Sequence, residues 1–463
     1  VGVFPALFAS ILSVLLRRFG SRAFLAAPFV WVFMEFLRYW VTGNNWNAVG
    51  YSQALYLLDI ISQAANVGGI YLAGFTLLVA NCLITVAIIN ARWMRKFKKE
   101  TPDTAGNISY LTLCTYLLPL VGALLFFLDW KGSSSGDEPT LTRVRTRHIP
   151  FLIAVGFAAF VYFASTRPPS YDIGFARANS VAFVVAVQPN VPMSGVGSGD
   201  LDRLRKRHIE LNDGAFNSNV EKLIAEKIGV RGDPNDEKVH DEYAELLKNR
   251  FAKQPKLVIF PESPMNFMYE DDREFQKFIN DFARRNNVSV LFNSAEPDSA
   301  NGKYFNSAVM VGPEGREVSQ YDKIFLLPFG EAVPSFLEGI LPGFVGNFSY
   351  GREYDILPVG DAKAGVMICF ESHFGALSRE YVRNGADVII EMTNDGYLGP
   401  TPVLRQHLAS AVFRAVETNR PVLRVTNVGI TAYINERGHV LDPLPSYTEG
   451  TRVWSVAKSD GGQ

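Results

Sequence analysis

The sequence predicts a multi-span α-helical membrane part over residues 1–168, followed by an α/β domain over 178–457. Three observations carry this. Long apolar runs are confined to the first 165 residues, basic clusters abut several of them, and from Val181 short β-rich runs alternate with charged helical segments. Over the whole chain of 463 residues, 48% hydrophobic and 20% charged is apolar for a water-soluble enzyme of this length. A net charge of -1 sets up no field that would draw nucleic acid. Cys82, Cys114 and Cys369 are too few and too scattered for a disulfide framework or a zinc site.

The membrane part reads as a series of runs. The run at 1–16 is closed by Arg17 and Arg18, and the aromatic-rich run at 24–40 carries Glu35 and Arg38. The strongest span, 70–90, is followed at once by Arg92, Arg95, Lys96, Lys98 and Lys99. At ~1.5 Å per residue it is long enough to cross the ~30 Å hydrocarbon core. The run at 149–164 follows Arg143, Arg145, Arg147 and His148. Basic residues stay on the cytoplasmic side, so this run is expected to carry everything after it to the outer face. The run at 111–128 has basic residues on both flanks and contains Pro119, which suits a re-entrant hairpin.

In the second part, residues 181–187, 257–260, 288–292, 308–311, 364–369, 388–391, 422–426 and 431–434 read as strands bounded by turn residues. Helices at 272–285 and 401–418 alternate with them, which predicts sheets sandwiched between helices. Arg203, Arg205, Lys206 and Arg207 open a polar insertion reaching to about residue 253, read as a solvated helical face.

Three segments place reactive side chains at strand ends. The apolar run 257–260 leads into Pro261 and Glu262. A carboxylate there is partly desolvated, which raises its pKa toward that of a useful base, although a surface-loop glutamate is the ordinary reading of this segment alone. Lys323 precedes the apolar run 324–327 and the turn Pro328 to Glu331, which gives it a carboxylate neighbour. Val366, Met367 and Ile368 deliver Cys369 to a turn whose N–H groups favour thiolate and can receive an oxyanion. A buried inert cysteine is the competing reading. A free thiol is mostly protonated at neutral pH and needs a base or a cation, which Glu262 and Lys323 would supply.

Residues 260–262, 321–331 and 368–371, with Thr393 to Gly399 (TNDGYLG), follow the order of the motif series of the nitrilase superfamily, and the chain resembles its apolipoprotein N-acyltransferase family. Residues 35–38 (EFLR), 50–53 (GYSQ), 407–420 and 423–429 (LRVTNVG) are similar to that family too. The resemblance implies an α-β-β-α sandwich for 178–457 and no metal or organic cofactor. It also implies that 1–168 lacks its first helices and that 458–463 is a tail without the last transmembrane helix.

The implied reaction is a ping-pong N-acyl transfer. Glu262 takes the Cys369 proton, the thiolate attacks the ester of a phospholipid, typically phosphatidylethanolamine, and Lys323 with the Phe370 N–H stabilises the oxyanion. The amine of a diacylglyceryl apolipoprotein then resolves the thioester. Glu331, Glu371 and Asn394 fall in the matched motifs as supporting residues. Where the family often has Tyr after the nucleophile, this chain has Phe370. The implied location is the bacterial inner membrane, with the catalytic domain on the extracytoplasmic face. Residues 336–348, with Leu337, Ile340, Leu341, Phe344 and Val345 among glycines, read as an apolar lid dipping into lipid. The rival readings are a membrane-tethered nitrilase-type amidohydrolase and an inactive lipoprotein-binding module.

Overall fold

The computed structural model describes residues 2–43, 46, 48–54, 61–90, 180–191, 253–262, 267–328, 330–332 and 348–459. The chain divides into two compact units, Val1–Tyr171 and Asp172–Gln463. The predicted runs at 111–128 and 149–164, the insertion at 203–252 and all of the predicted lid but Phe348 lie outside the described residues.

In the first unit, helices α1 (Val3–Phe19), α2 (Ala27–Thr42) and α3 (Ile61–Asn90) follow the apolar runs. Helix α2 has Pro28 in its first turn, where the missing N–H costs nothing, and ends on Gly43 in the left-handed conformation, whose N–H reaches Tyr39 O at 2.8 Å. Helix α3 is broken at Gly68 and Gly69, the latter at φ 63°, so an unbroken stretch begins at Ile70, where the strongest predicted span begins. Among the described residues, α3 is the one helix long and apolar enough to cross a membrane, over the window Ala65–Cys82, which takes in the break. Helices α1 and α2 expose Val3, Val14, Phe29, Phe33 and Trp40, a larger apolar surface than water favours.

Inside this unit the sequence motifs meet. Glu35 of α2 is buried and accepts hydrogen bonds from Trp31 Nε1 at 2.9 Å and from the Val49 N–H at 2.8 Å. That ties the EFLR segment to the turn entering GYSQ. Phe36 stacks on Tyr71 with ring centroids 4.0 Å apart, joining α2 to α3.

The second unit is built on two sheets. The first contains β1 (Ser180–Gln188), β2 (Lys256–Ile259), β3 (Ser289–Asp298), β4 (Lys303–Val311), β5 (Glu317–Asp322), β6 (Phe348–Ser349) and β13 (Gly450–Ala457). Its order is β13-β1-β2-β3-β4-β5, with β6 pairing beside β4. The second contains β7 (Ile356–Val359), β8 (Ala362–Ile368), β9 (Val388–Thr393), β10 (Val422–Thr426), β11 (Ala432–Ile434) and β12 (Val440–Leu441), in the order β12-β11-β10-β9-β8-β7. Each sheet has a parallel centre, β1-β2-β3 or β8-β9-β10, with antiparallel strands outside it. Parallel strands are covered on both faces and are therefore written as continuous apolar runs, and all six are legible in the sequence, together with the antiparallel β4 and β11.

Helices cover the outer faces. Helix α4 (Arg273–Asn286) is capped by the Asp272 side chain, which accepts from the Glu274 and Phe275 N–H groups, and buries Phe275, Ile279, Phe282 and Ala283 as one stripe over β3 and β4. Helices α5 (Gly375–Arg383) and α6 (Val403–Thr418) cover the second sheet, α5 on β8 and α6 on β10 and β11. Strands β1 and β10 meet between the sheets, where the Gln188 Oε1 accepts from Thr426 Oγ1 at 3.0 Å. The layers run helix, sheet, sheet, helix.

Several strands extend beyond their predicted bounds, and five, β5, β6, β7, β12 and β13, were not predicted. Strand β5 reads EVSQYD with only Tyr321 buried, and β7 carries Pro358 on an edge that needs no N–H from it. An edge strand with a polar face, such as β5, leaves no continuous apolar run to read. The predicted strand at 364–369 stops one residue early, at Ile368, because Cys369 leaves the sheet.

Tyr381 of α5 donates its hydroxyl to Val366 O at 2.6 Å and lies flat on the β8 backbone at Gly365, where a Cβ would stand 2.3 Å from its ring. Gly365→Ala is therefore expected to lower stability by about 1–3 kcal/mol through overpacking, read as a lower melting temperature of the purified chain.

Candidate functional site

Four side chains lie just past the C-terminal ends of strands, the usual place for a site on an α/β sheet. Phe260 and Pro261 carry Glu262 away from β2, Lys323 follows β5, Cys369 follows β8 and Asn394 follows β9. The first pair belongs to one sheet and the second to the other.

Cys369 opens a short turn, Cys369–His373, with φ 52°. A non-glycine residue held there is strained, and the strain is sustained only because the surroundings fix it. The bend lifts the thiol out of the strand and leaves the Phe370 N–H at the start of the turn, where no intrahelical acceptor exists for it.

Lys323 is buried, with Nζ 2.8 Å from Glu331 Oε1 and 3.7 Å from Glu262 Oε1. Asn306 Nδ2 donates to Glu262 Oε1 at 3.2 Å and to Glu331 Oε1 at 2.6 Å, so one amide aligns both carboxylates about the ammonium. The Asn394 N–H donates to Glu262 Oε2 at 3.1 Å, which links the second sheet to the base. Glu331 Oε2 accepts from the Leu327 N–H at 2.7 Å, closing its own turn.

Burial pushes the Glu262 carboxyl above its usual range, with Lys323 opposing and Glu331 reinforcing that rise. Burial would lower Lys323, but Glu331 and Glu262 more than reverse it and keep the ammonium charged. Burial and then Glu262 push the Cys369 thiol well up, against Lys323 and a hydrogen bond with the Thr393 side chain. The resting arrangement is a thiol beside a carboxylate and an ammonium. A proton can pass from sulfur to Glu262, and negative charge can gather near Lys323.

Glu371 holds the two halves in register. It is fully buried, and its Oε1 accepts from Tyr321 OH at 2.7 Å, the Ile324 N–H at 2.8 Å and the Phe325 N–H at 3.0 Å. Its Oε2 accepts from the Ile368 N–H at 2.9 Å. Burial pushes this carboxyl up to about 7, against Lys323 and the donors that favour its charge.

The structure thus brings together Glu262, Lys323 and Cys369, and sets Glu331, Glu371 and Asn394 around them. Phe370 is buried against Phe374, with ring centroids 5.2 Å apart. Sequence reasoning missed Asn306, on β4, which no motif marks. It also assigned nothing to Asp395 and His407, although both lie inside quoted motifs. Among the described residues, no group of three or more metal-ligating side chains is placed to hold a metal ion.

The family model described as Carbon-nitrogen hydrolase matches residues 228–463, just over half of the chain, and that described as Apolipoprotein N-acyltransferase N-terminal domain matches residues 1–83. The chain is 27% identical to the apolipoprotein N-acyltransferase of Geobacter metallireducens over 469 residues, which cover 98% of this chain and 73% of that one. It is 36% identical to the enzyme of the same name from Thermotoga maritima over 41% of this chain and 36% of that one. The enzyme of that name from Ralstonia nicotianae is 34% identical over 47% of this chain and 43% of its own length. A solved amidase from Nesterenkonia is 12% identical, with a TM-score of 0.39 over 61% of this chain and 92% of that chain.

Glu371→Gln would turn one carboxylate oxygen into an NH2 group among the four donors that now bond to Glu371, stranding at least one of them. It is expected to cost about 2–3 kcal/mol, as for a buried unsatisfied donor, and to show as a lower melting temperature.

Proposed function

Since the chain belongs to the carbon-nitrogen hydrolase family, we propose that it is an N-acyltransferase in which Cys369 carries a fatty acyl group from a membrane phospholipid to the N-terminal amine of a lipoprotein. The observation that carries the chemistry is the convergence of a strained Cys369, the buried Lys323 and the desolvated Glu262 from two sheets. The acyl-transfer reading draws on the match of residues 1–83 to the N-terminal domain of apolipoprotein N-acyltransferases and on a relative of that name spanning nearly the whole chain.

The reaction has two halves. In the first, Glu262 takes the Cys369 proton as sulfur attacks the ester carbonyl of the donor. Lys323 and the Phe370 N–H receive the oxyanion. The tetrahedral species collapses, the lysophospholipid oxygen leaves with the proton from Glu262, and a thioester remains on Cys369. In the second, the α-amine of a diacylglyceryl cysteine attacks the thioester and gives its proton to Glu262. The amide forms, and the Cys369 thiolate leaves and recovers that proton. Atoms and charges balance without a cofactor.

The roles of the remaining residues follow from their contacts. Glu331 holds Lys323 through its Oε1, Glu371 holds the Lys323 loop on the turn after Cys369, and Asn394 orients Glu262 through its N–H. Phosphatidylethanolamine is the proposed donor. A membrane setting suits both substrates, because each acyl methylene lifted into water costs ~0.8 kcal/mol. The apolar surface of α1 and α2 and the span in α3 support several membrane crossings. The basic residues 143–147 support placing the catalytic unit outside the cytoplasm.

Incubation of the purified chain with phosphatidylethanolamine is expected to give a hydroxylamine-sensitive fatty-acyl adduct on Cys369 by mass spectrometry, absent from Cys369→Ala. Glu262→Gln is expected to slow adduct formation by about 10²–10⁴-fold, the usual worth of a general base. No adduct on a folded wild-type chain with any phospholipid would overturn the reading.

The pH profile tests the base. Glu262 must be ionised to accept the proton, and its pKa lies above the usual carboxylate range, so acylation should fall on the acid side at a higher pH than an ordinary glutamate would give. Asn306→Ala removes a hydrogen bond that favours the carboxylate, so the acid limb should move to still higher pH.

A further inference from the structure

Behind the Cys369 turn lies a buried charged cluster with no part in the reaction described above. His407 of α6 is 1% exposed, with Nδ1 2.7 Å from Asp395 Oδ1 and Nε2 3.2 Å from the Cys369 carbonyl oxygen. The same Nε2 lies 3.5 Å from Glu391 Oε1. Arg424 of β10 pairs with both carboxylates, Nη1 at 2.5 Å from Glu391 and Nη2 at 2.7 Å from Asp395. The Thr393 hydroxyl adds a bond to Asp395 at 3.3 Å. On the other side, the His373 ring stacks on His407 with centroids 5.3 Å apart, and His373 Nδ1 meets the Phe370 carbonyl at 3.1 Å.

The acceptors fix the protons. A carbonyl oxygen can only accept, and so can an ionised carboxylate. Burial alone would raise Asp395, but Arg424 and His407 reverse it and hold the carboxyl well below its usual range. Both ring nitrogens of His407 therefore face acceptors. Burial, and then the neighbouring His407, push His373 well below its usual range, which leaves it the neutral member of the stacked pair.

The carbonyl that receives the His407 proton belongs to the peptide unit whose other end is the Phe370 N–H. A cationic donor on the oxygen draws electron density through that unit and makes its N–H a stronger donor. It also holds the carbonyl in the orientation that the positive φ of Cys369 demands. Gly429 leaves room for the device: a Cβ there would stand 2.0 Å from Asp395 Oδ2.

We propose that His407 is a positioning residue for acyl transfer: as an imidazolium held by Asp395, it fixes and polarises the Cys369–Phe370 peptide, whose N–H receives the oxyanion. This rests on acyl transfer at Cys369 as proposed above. His407 touches no reacting atom, and its action passes through one peptide group.

The test uses the full chain in detergent micelles. His407→Gln keeps a possible N–H donor toward the carbonyl but loses the charge. Its thioester formation with phosphatidylethanolamine should slow about tenfold, the loss expected when a charge-assisted hydrogen bond becomes a neutral one. Alkylation of Cys369 by iodoacetamide, which forms no oxyanion, should stay within about twofold of wild type. In wild type, nitrogen-15 spectra of labelled histidine should show both His407 nitrogens protonated at pH 7.5, a readout that survives even if the variant fails to fold. Acylation that keeps pace in His407→Gln, acylation and alkylation that fall together, or an unprotonated His407 nitrogen would each overturn the proposal while leaving acyl transfer intact. A wild-type chain that alkylates normally yet never acylates would instead bring down the underlying reading and the proposal with it.

Discussion

The site depends on one buried carboxylate that is not at its chemical centre. Glu371 receives four hydrogen bonds, one from the phenol of Tyr321, two from the backbone after Lys323 and one from the end of β8. The segment bearing the ammonium and the turn bearing the thiol come from different sheets, and this carboxylate joins them directly. Burying a charge is costly unless every lone pair is used, and here both oxygens are engaged. The Lys323 ammonium nearby completes the compensation.

The same arrangement explains the resting state of the thiol. Lys323 is shared between Glu331 and Glu262, so it has little positive charge left over for sulfur. Burial then dominates, and Cys369 stays protonated. On the proposed reaction the thiolate exists only in transit, formed as Glu262 removes the proton and consumed as the new bond to carbon forms. A permanently ionised sulfur would be open to oxidants and stray electrophiles.

Much of this was legible in the sequence, for a physical reason. The parallel strands at the centres of the sheets are apolar on both faces, so their ends are sharp, and the reactive residues Glu262 and Cys369 sit at two of those ends. Lys323 follows an edge strand that the pattern did not show, and it was found through its neighbours and the resemblance rather than through periodicity. Asn306 was invisible because a polar residue on a strand reads as solvent-facing, and only the three-dimensional pairing of β4 with β5 brings it to the carboxylates. His407 was read as part of a helix, and nothing along the chain announces that its helix passes behind the turn at Cys369.

The division of the site between two sheets has a further consequence. The base and the cation follow strands of one sheet, and the nucleophile follows a strand of the other, with its polarising histidine on the helix that covers that second sheet. Competence is therefore a property of the seam between layers rather than of either layer alone. A small slip along that seam would silence the chemistry while every strand kept its neighbours and every helix its turns. In such a protein, turnover is the more sensitive gauge of native assembly, and secondary structure the blunter one.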